Sequence, residues 1–99
     1  MSQRFLWLKL IYQFNSDNLI LTNNGNLYRL SDTFLTEENT LNVGQILNNY
    51  KVSSIVTLQV PTEETYVLTD NDKIININTN EEYTGIIKEI ALAEGTIYV

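Results

Sequence analysis

The chain has 99 residues, 43% of them apolar and 18% charged, with six basic residues against twelve acidic ones and neither histidine nor cysteine. That length predicts one domain, residues 1–99, able to bury about 60% or slightly more of its extended surface without covalent staples, and the apolar content argues against disorder. The missing residue types exclude disulfides, thiolate metal sites, thiol catalysis and every Ser-His-Asp arrangement, and a net charge of −6 argues against gripping nucleic-acid phosphates or docking on anionic lipid.

The N-terminal run from Met1 to Ile11 begins like a signal peptide, but Lys9 and Gln13 interrupt it and no small-residue cleavage site follows. No stretch approaches 18 consecutive apolar residues, so no membrane span is expected, and the protein reads as cytoplasmic. Phe5 to Phe14 predicts a long first strand. Leu6, Leu8, Leu10, Tyr12 and Phe14 share one face, and Phe5, Trp7, Lys9, Ile11 and Gln13 the other. Trp7 thus stands on the more polar face, where a tryptophan serves either as an interface anchor or as part of a second small core under a helix.

Asn15-Ser16-Asp17-Asn18 is a turn cluster, and after it comes a phrase that the chain repeats. Leu19-Ile20-Leu21-Thr22-Asn23-Asn24-Gly25-Asn26-Leu27-Tyr28-Arg29-Leu30 aligns with Tyr66-Val67-Leu68-Thr69-Asp70-Asn71-Asp72-Lys73-Ile74-Ile75-Asn76-Ile77. In both copies apolar strand formers flank an Asn/Asp/Gly knot that tolerates positive φ, which predicts hairpins near 19–22 with 26–31 and near 65–69 with 73–78. The identities are Leu21/Leu68, Thr22/Thr69 and Asn24/Asn71, which repeated turn chemistry explains as well as a duplication does. The phrase is similar to the inner hairpin of β-propeller blades. Two copies are too few to close a propeller, and the helical stretch between them does not suit one.

Thr36-Glu37-Glu38-Asn39 reads as loop or helix start. From Thr40, a candidate N-cap, the residues Leu41, Ile46, Leu47 and Tyr50 suit a short helical stripe that Gly44 weakens. Val52 to Val60 predicts a half-buried strand, with Val52, Val56, Leu58 and Val60 inward, Ser53, Thr57 and Gln59 outward, and Ile55 out of step. Pro61 ends it. Thr79-Asn80-Glu81-Glu82 matches a capping box, and Tyr83, Ile86, Ile87, Ile90 and Ala93 form a helical stripe that Gly95 would close. A last hairpin closed at Glu94-Gly95 is the alternative for this stretch. Thr96 to Val99 is a terminal strand either way.

The predicted fold class is α+β: a mainly antiparallel sheet of about seven strands in hairpins, with one or two short helices, laid out as strand–strand–strand–helix twice and then a last strand. No catalytic, cofactor-binding or metal-binding residue is assigned. The serines lie in no nucleophile-elbow motif and the four glycines form no phosphate loop. A calcium-loop frame starting at Asp70 and ending at Glu81 fails at Ile74 and Ile75, where an oxygen ligand and a glycine are needed.

Three acidic pairs recur at turns or helix starts, Glu37-Glu38, Glu63-Glu64 and Glu81-Glu82. By elimination the expected function is a non-catalytic acidic protein-binding module that modulates or inhibits a macromolecular partner. In class it resembles phage-type inhibitors and immunity proteins. Trp7, Glu63, Glu64, Glu81 and Glu82 are the candidate partner-binding residues, and the partner is another protein with a basic surface, neither nucleic acid nor membrane. The alternative is a structural subunit of a homo-oligomeric or virion-type assembly, joined by strand edges or by the Trp7 face.

Overall fold

The computed structural model describes residues 8–59 and 63–99; Trp7, Val60 and Pro61 lie outside them. The chain divides into two compact units, Met1–Lys51 and Val52–Val99. The first contains β1 (Leu8–Phe14), β2 (Asp17–Thr22), β3 (Leu27–Ser31), a 3-10 turn (Asp32–Phe34), α1 (Glu37–Val43) and β4 (Gln45–Ile46). The second contains β5 (Val52–Leu58), β6 (Glu64–Thr69), β7 (Ile74–Asn76), β8 (Glu82–Tyr83), α2 (Ile86–Glu94) and β9 (Thr96–Tyr98). The class is α+β with antiparallel pairing throughout, in two sheets, β1-β2-β3-β4 and β8-β7-β6-β5-β9, where the sequence suggested one of about seven strands.

The repeated phrase is repeated structure. Leu21 pairs with Leu27, as Leu68 pairs with Ile74. Each meander has a bulge at the same place, Lys9 in β1 and Ser53 in β5, just short of the strand end that faces Thr22 or Thr69. The two tips are closed by the same bonds. Thr22 N–H donates to Asn26 O at 3.0 Å and Gly25 N–H to Thr22 O at 3.1 Å; Thr69 N–H donates to Lys73 O at 2.9 Å and Asp72 N–H to Thr69 O at 3.1 Å. Each threonine Oγ1 donates to the asparagine two residues on, Asn24 or Asn71, at 2.6 Å, and accepts the N–H of Asn26 or Lys73 at 3.0 Å. The phrase needs Thr and Asn at those two positions because their side chains complete the turn. In the first unit four strands lie side by side in sequence order, and α1 is an excursion between β3 and β4 rather than a replacement for a strand.

Gly25 has φ 85° and Asp72, its counterpart, φ 67°. Gly25→Val is therefore expected to cost about 1 kcal/mol or more, because a β-branched residue is strained there. Asp72→Gly is expected to change stability by no more than about 0.5 kcal/mol, since relief of the positive φ offsets loss of an exposed ion pair to Lys88. Urea midpoints of the two variants measure both effects; silence in both would remove the tips as the fixed turns of the fold.

The core follows the strands. Ile20, Tyr28 and Leu30 form one cluster with Leu8 and Leu35 against it. In the second unit Val56, Leu58, Tyr66, Ile74 and Ala91 form another, with Tyr83 against it. The alternation expected along β1 holds from Leu8 onward, with Lys9, Ile11 and Gln13 on the exposed side.

Other expectations are corrected. β5 has no wet face: Ser54 and Thr57 are buried, because the strand lies inside its sheet between β6 and β9 and the Ser53 bulge resets its alternation. Thr40 is not a cap. Thr36 is, its side chain accepting Asn39 N–H at 3.1 Å, while Thr40 is buried within α1 and donates its hydroxyl to Thr36 O. The stripe from Leu41 to Tyr50 breaks at Gly44, and Gln45–Ile46 is strand. Thr79-Asn80-Glu81-Glu82 is a turn into β8 rather than a capping box, and α2 starts only after Gly85, whose φ of 63° lies outside a helix. Gly95 does follow the helix end, and β9 does close the chain.

Candidate functional site

β6 and β8 run in the same direction with β7 between them, and Asn76 faces Tyr66 and bonds to Glu81, so Glu81 lies level with Tyr66 and Glu82 level with Val67 near one end of the second sheet. Glu63-Glu64 precedes or opens β6, and Glu81-Glu82 precedes or opens β8. Two acidic pairs separated in sequence thus share one end of the sheet. Glu37-Glu38 lies in the first unit, in the opening turn of α1, where carboxylates meet the positive end of the helix dipole. Glu81-Glu82 has no such role, because it opens a strand.

Asn76 pins this end together. It is buried, at 3% exposure. Its Nδ2 donates to Glu64 Oε1 at 3.1 Å, and its Oδ1 accepts the N–H groups of Asn78 and Thr79 at 2.7 and 3.2 Å. Its backbone N–H donates to Glu81 O at 2.9 Å and its carbonyl accepts Asn80 N–H at 2.8 Å. Asn80, with φ 63°, turns the chain back towards β8.

Two tyrosines brace the carboxylates. Tyr66 OH donates to Glu64 Oε1 at 3.2 Å, and Tyr83 OH donates to Glu81 Oε1, also at 3.2 Å. Their rings meet edge to face, with centroids 6.0 Å apart. Glu82 Oε1 is paired with Lys73 Nζ at 3.1 Å. Glu63 is exposed. The arrangement can offer negative charge and fixed acceptor oxygens. Trp7 lies outside the described residues. Asn76, Tyr66, Tyr83 and Lys73 were not anticipated; the available signal was an asparagine set between isoleucines in Ile74-Ile75-Asn76-Ile77. Among the described residues no group of three or more His, Cys, Asp or Glu side chains converges as a metal site.

Burial, and then the neighbouring Glu64 charge, push the Tyr66 phenol above its ordinary value of 10.0. The folded state therefore holds this proton more tightly than the unfolded chain does. Its contribution is complete below the unfolded value and is lost as pH rises from about 10 through the folded value. The urea midpoint should fall across that alkaline window, and Tyr66→Phe should flatten the fall; an equal slope in both proteins would refute the assignment.

The chain matches no protein-family model, no curated protein and no solved structure.

Proposed function

We propose that this protein is a non-catalytic binding module that takes a basic protein surface at the acidic end of its second sheet and thereby modulates or inhibits that partner. The observation that supports this reading is that Glu64 and Glu81, each held by one tyrosine of the Tyr66–Tyr83 pair, lie at one end of the second sheet with Glu63 exposed beside them and Glu82 on the opposite face against Lys73, in a chain whose net charge is −6. Complementary charge at exposed carboxylates acts chiefly on association rate and on its salt dependence. Trp7 is the anchor in this reading, acting on dissociation as buried aromatic hot spots do.

A lysine-rich peptide on a biosensor surface serves as the probe. Glu63, Glu64, Glu81 and Glu82 changed together to glutamine should slow association about ten-fold at low salt, with the difference vanishing at high salt. A control variant neutralises Glu37, Glu38, Asp70 and Glu94, the same number of charges, and should slow it far less. Equal effects in the two variants would show a general response to net charge and reject the site. Trp7→Ala, if folded by circular dichroism, should raise the dissociation rate; unchanged dissociation rejects the anchor.

The second reading, a structural subunit of a homo-oligomeric assembly, is favoured by the isoleucines that α2 and β9 leave exposed.

A further inference from the structure

The C-terminal arm, α2 with β9, is lightly held. Of the nine residues of α2 only Ala91 is buried, and the isoleucines expected to form its stripe stay out: Ile86 is 72% exposed, Ile87 40% and Ile90 36%. β9 adds three residues to the outer edge of β5, in the register Ile55↔Tyr98, Val56↔Ile97 and Thr57↔Thr96. Ile97 is itself 46% exposed. Lys88 fastens the helix to the second hairpin tip through the Asp72 carboxylate and carbonyl, but the Asp72 side chain is 78% exposed. Little apolar burial and a short ladder mean a low free energy of local opening. The edge beneath is nevertheless specific. A Cβ at Gly95 would fall on the Ala91 carbonyl oxygen, 2.8 Å from Val56 Cγ1 and 2.9 Å from Thr57 O, so β5 accepts a strand entered through a glycine.

We propose that α2 and β9 form an exchangeable arm, which leaves β5 as one unit about Thr84-Gly85 and is replaced there by β9 of a second copy in the same register. The occupant follows from the edge: the sequence already shown to fit it is Gly95-Thr96-Ile97-Tyr98, and a second copy supplies the same glycine and the same pairs. Exchange conserves the contacts of the closed form, so concentration sets the balance. This inference stands apart from the acidic end of the sheet and survives its failure.

The chain has no cysteine, so a crosslink can report the exchange. A Thr57→Cys chain is mixed with a Thr96→Cys chain at high concentration under mild oxidation; those positions face each other across the ladder, within disulfide reach. A mixed disulfide dimer should accumulate, and Lys88→Ala in both chains, which loosens the closed and the exchanged form alike, should make it appear several-fold faster. A single chain with both substitutions should close internally in dilute solution. Only self-pairs of the Thr96→Cys chain, or failure of the double variant to close, would overturn the proposal. Hydrogen exchange in the unaltered protein keeps the test independent of those variants. The amides of Thr96–Tyr98 should exchange at least about ten-fold faster than those of Val67 and Ile75, and equal protection would also overturn it.

Discussion

Asn76→Ala is expected to lower the unfolding free energy by about 2–3 kcal/mol, because one truncation strands several buried groups at once. Asn78 and Thr79 lose the acceptor for their N–H groups, and Glu64 loses a donor. Asn76→Asp separates those roles. It keeps the acceptor for the two amides but sets a carboxylate against Glu64, so what remains of its penalty is charge repulsion and should be larger at low salt than at high salt, whereas that of Asn76→Ala should not depend on salt. Urea denaturation at the two salt concentrations distinguishes them. A loss below about 1 kcal/mol for Asn76→Ala would mean that water replaces the side chain and that the acidic end is not pinned by it.

The second large effect contrasts two identical residues at equivalent positions of the phrase. Leu21 is fully buried, whereas Leu68 is only partly so. Leu21→Ala should cost about 3 kcal/mol, in the range of fully buried leucines, and Leu68→Ala less than half of that. Thermal or urea unfolding of the two variants gives the comparison directly. Equal losses would contradict the difference in burial between the two meanders.

Hairpin chemistry was the legible part of this fold, because it is local. The Thr-x-Asn pattern and the positive-φ position at Gly25 and Asp72 are set within five residues, and both tips form as their residues require. Helix starts were less legible, because threonine and glutamate serve turns as well as caps. Thr79-Asn80-Glu81-Glu82 satisfies the capping pattern, yet Asn76 captures the preceding amides and Glu82 enters a ladder with Ile75. Gly85 carried the corrective signal: a residue at positive φ marks where α2 cannot yet have begun. The burial of Thr57 was hidden because it depends on β9, which comes 39 positions later in the chain. The meeting of Glu63-Glu64 with Glu81-Glu82 was hidden for a related reason. Each pair is visible alone, but their proximity depends on strand order and direction, which two short apolar runs do not encode.

Two of the four edge strands, β4 and β8, have a consequence for colloidal behaviour. Each is two residues long, Gln45–Ile46 and Glu82–Tyr83. A foreign strand laid along either would exhaust its backbone partners almost at once, and at β8 it would also approach the Glu82 carboxylate. Brevity and charge at a sheet margin are what keep antiparallel proteins from templating fibrils. A surface that leaves Ile86, Ile87 and Ile90 in water has particular need of such blunt margins, since sticky helix faces bring molecules together and long open ladders would make the encounter irreversible.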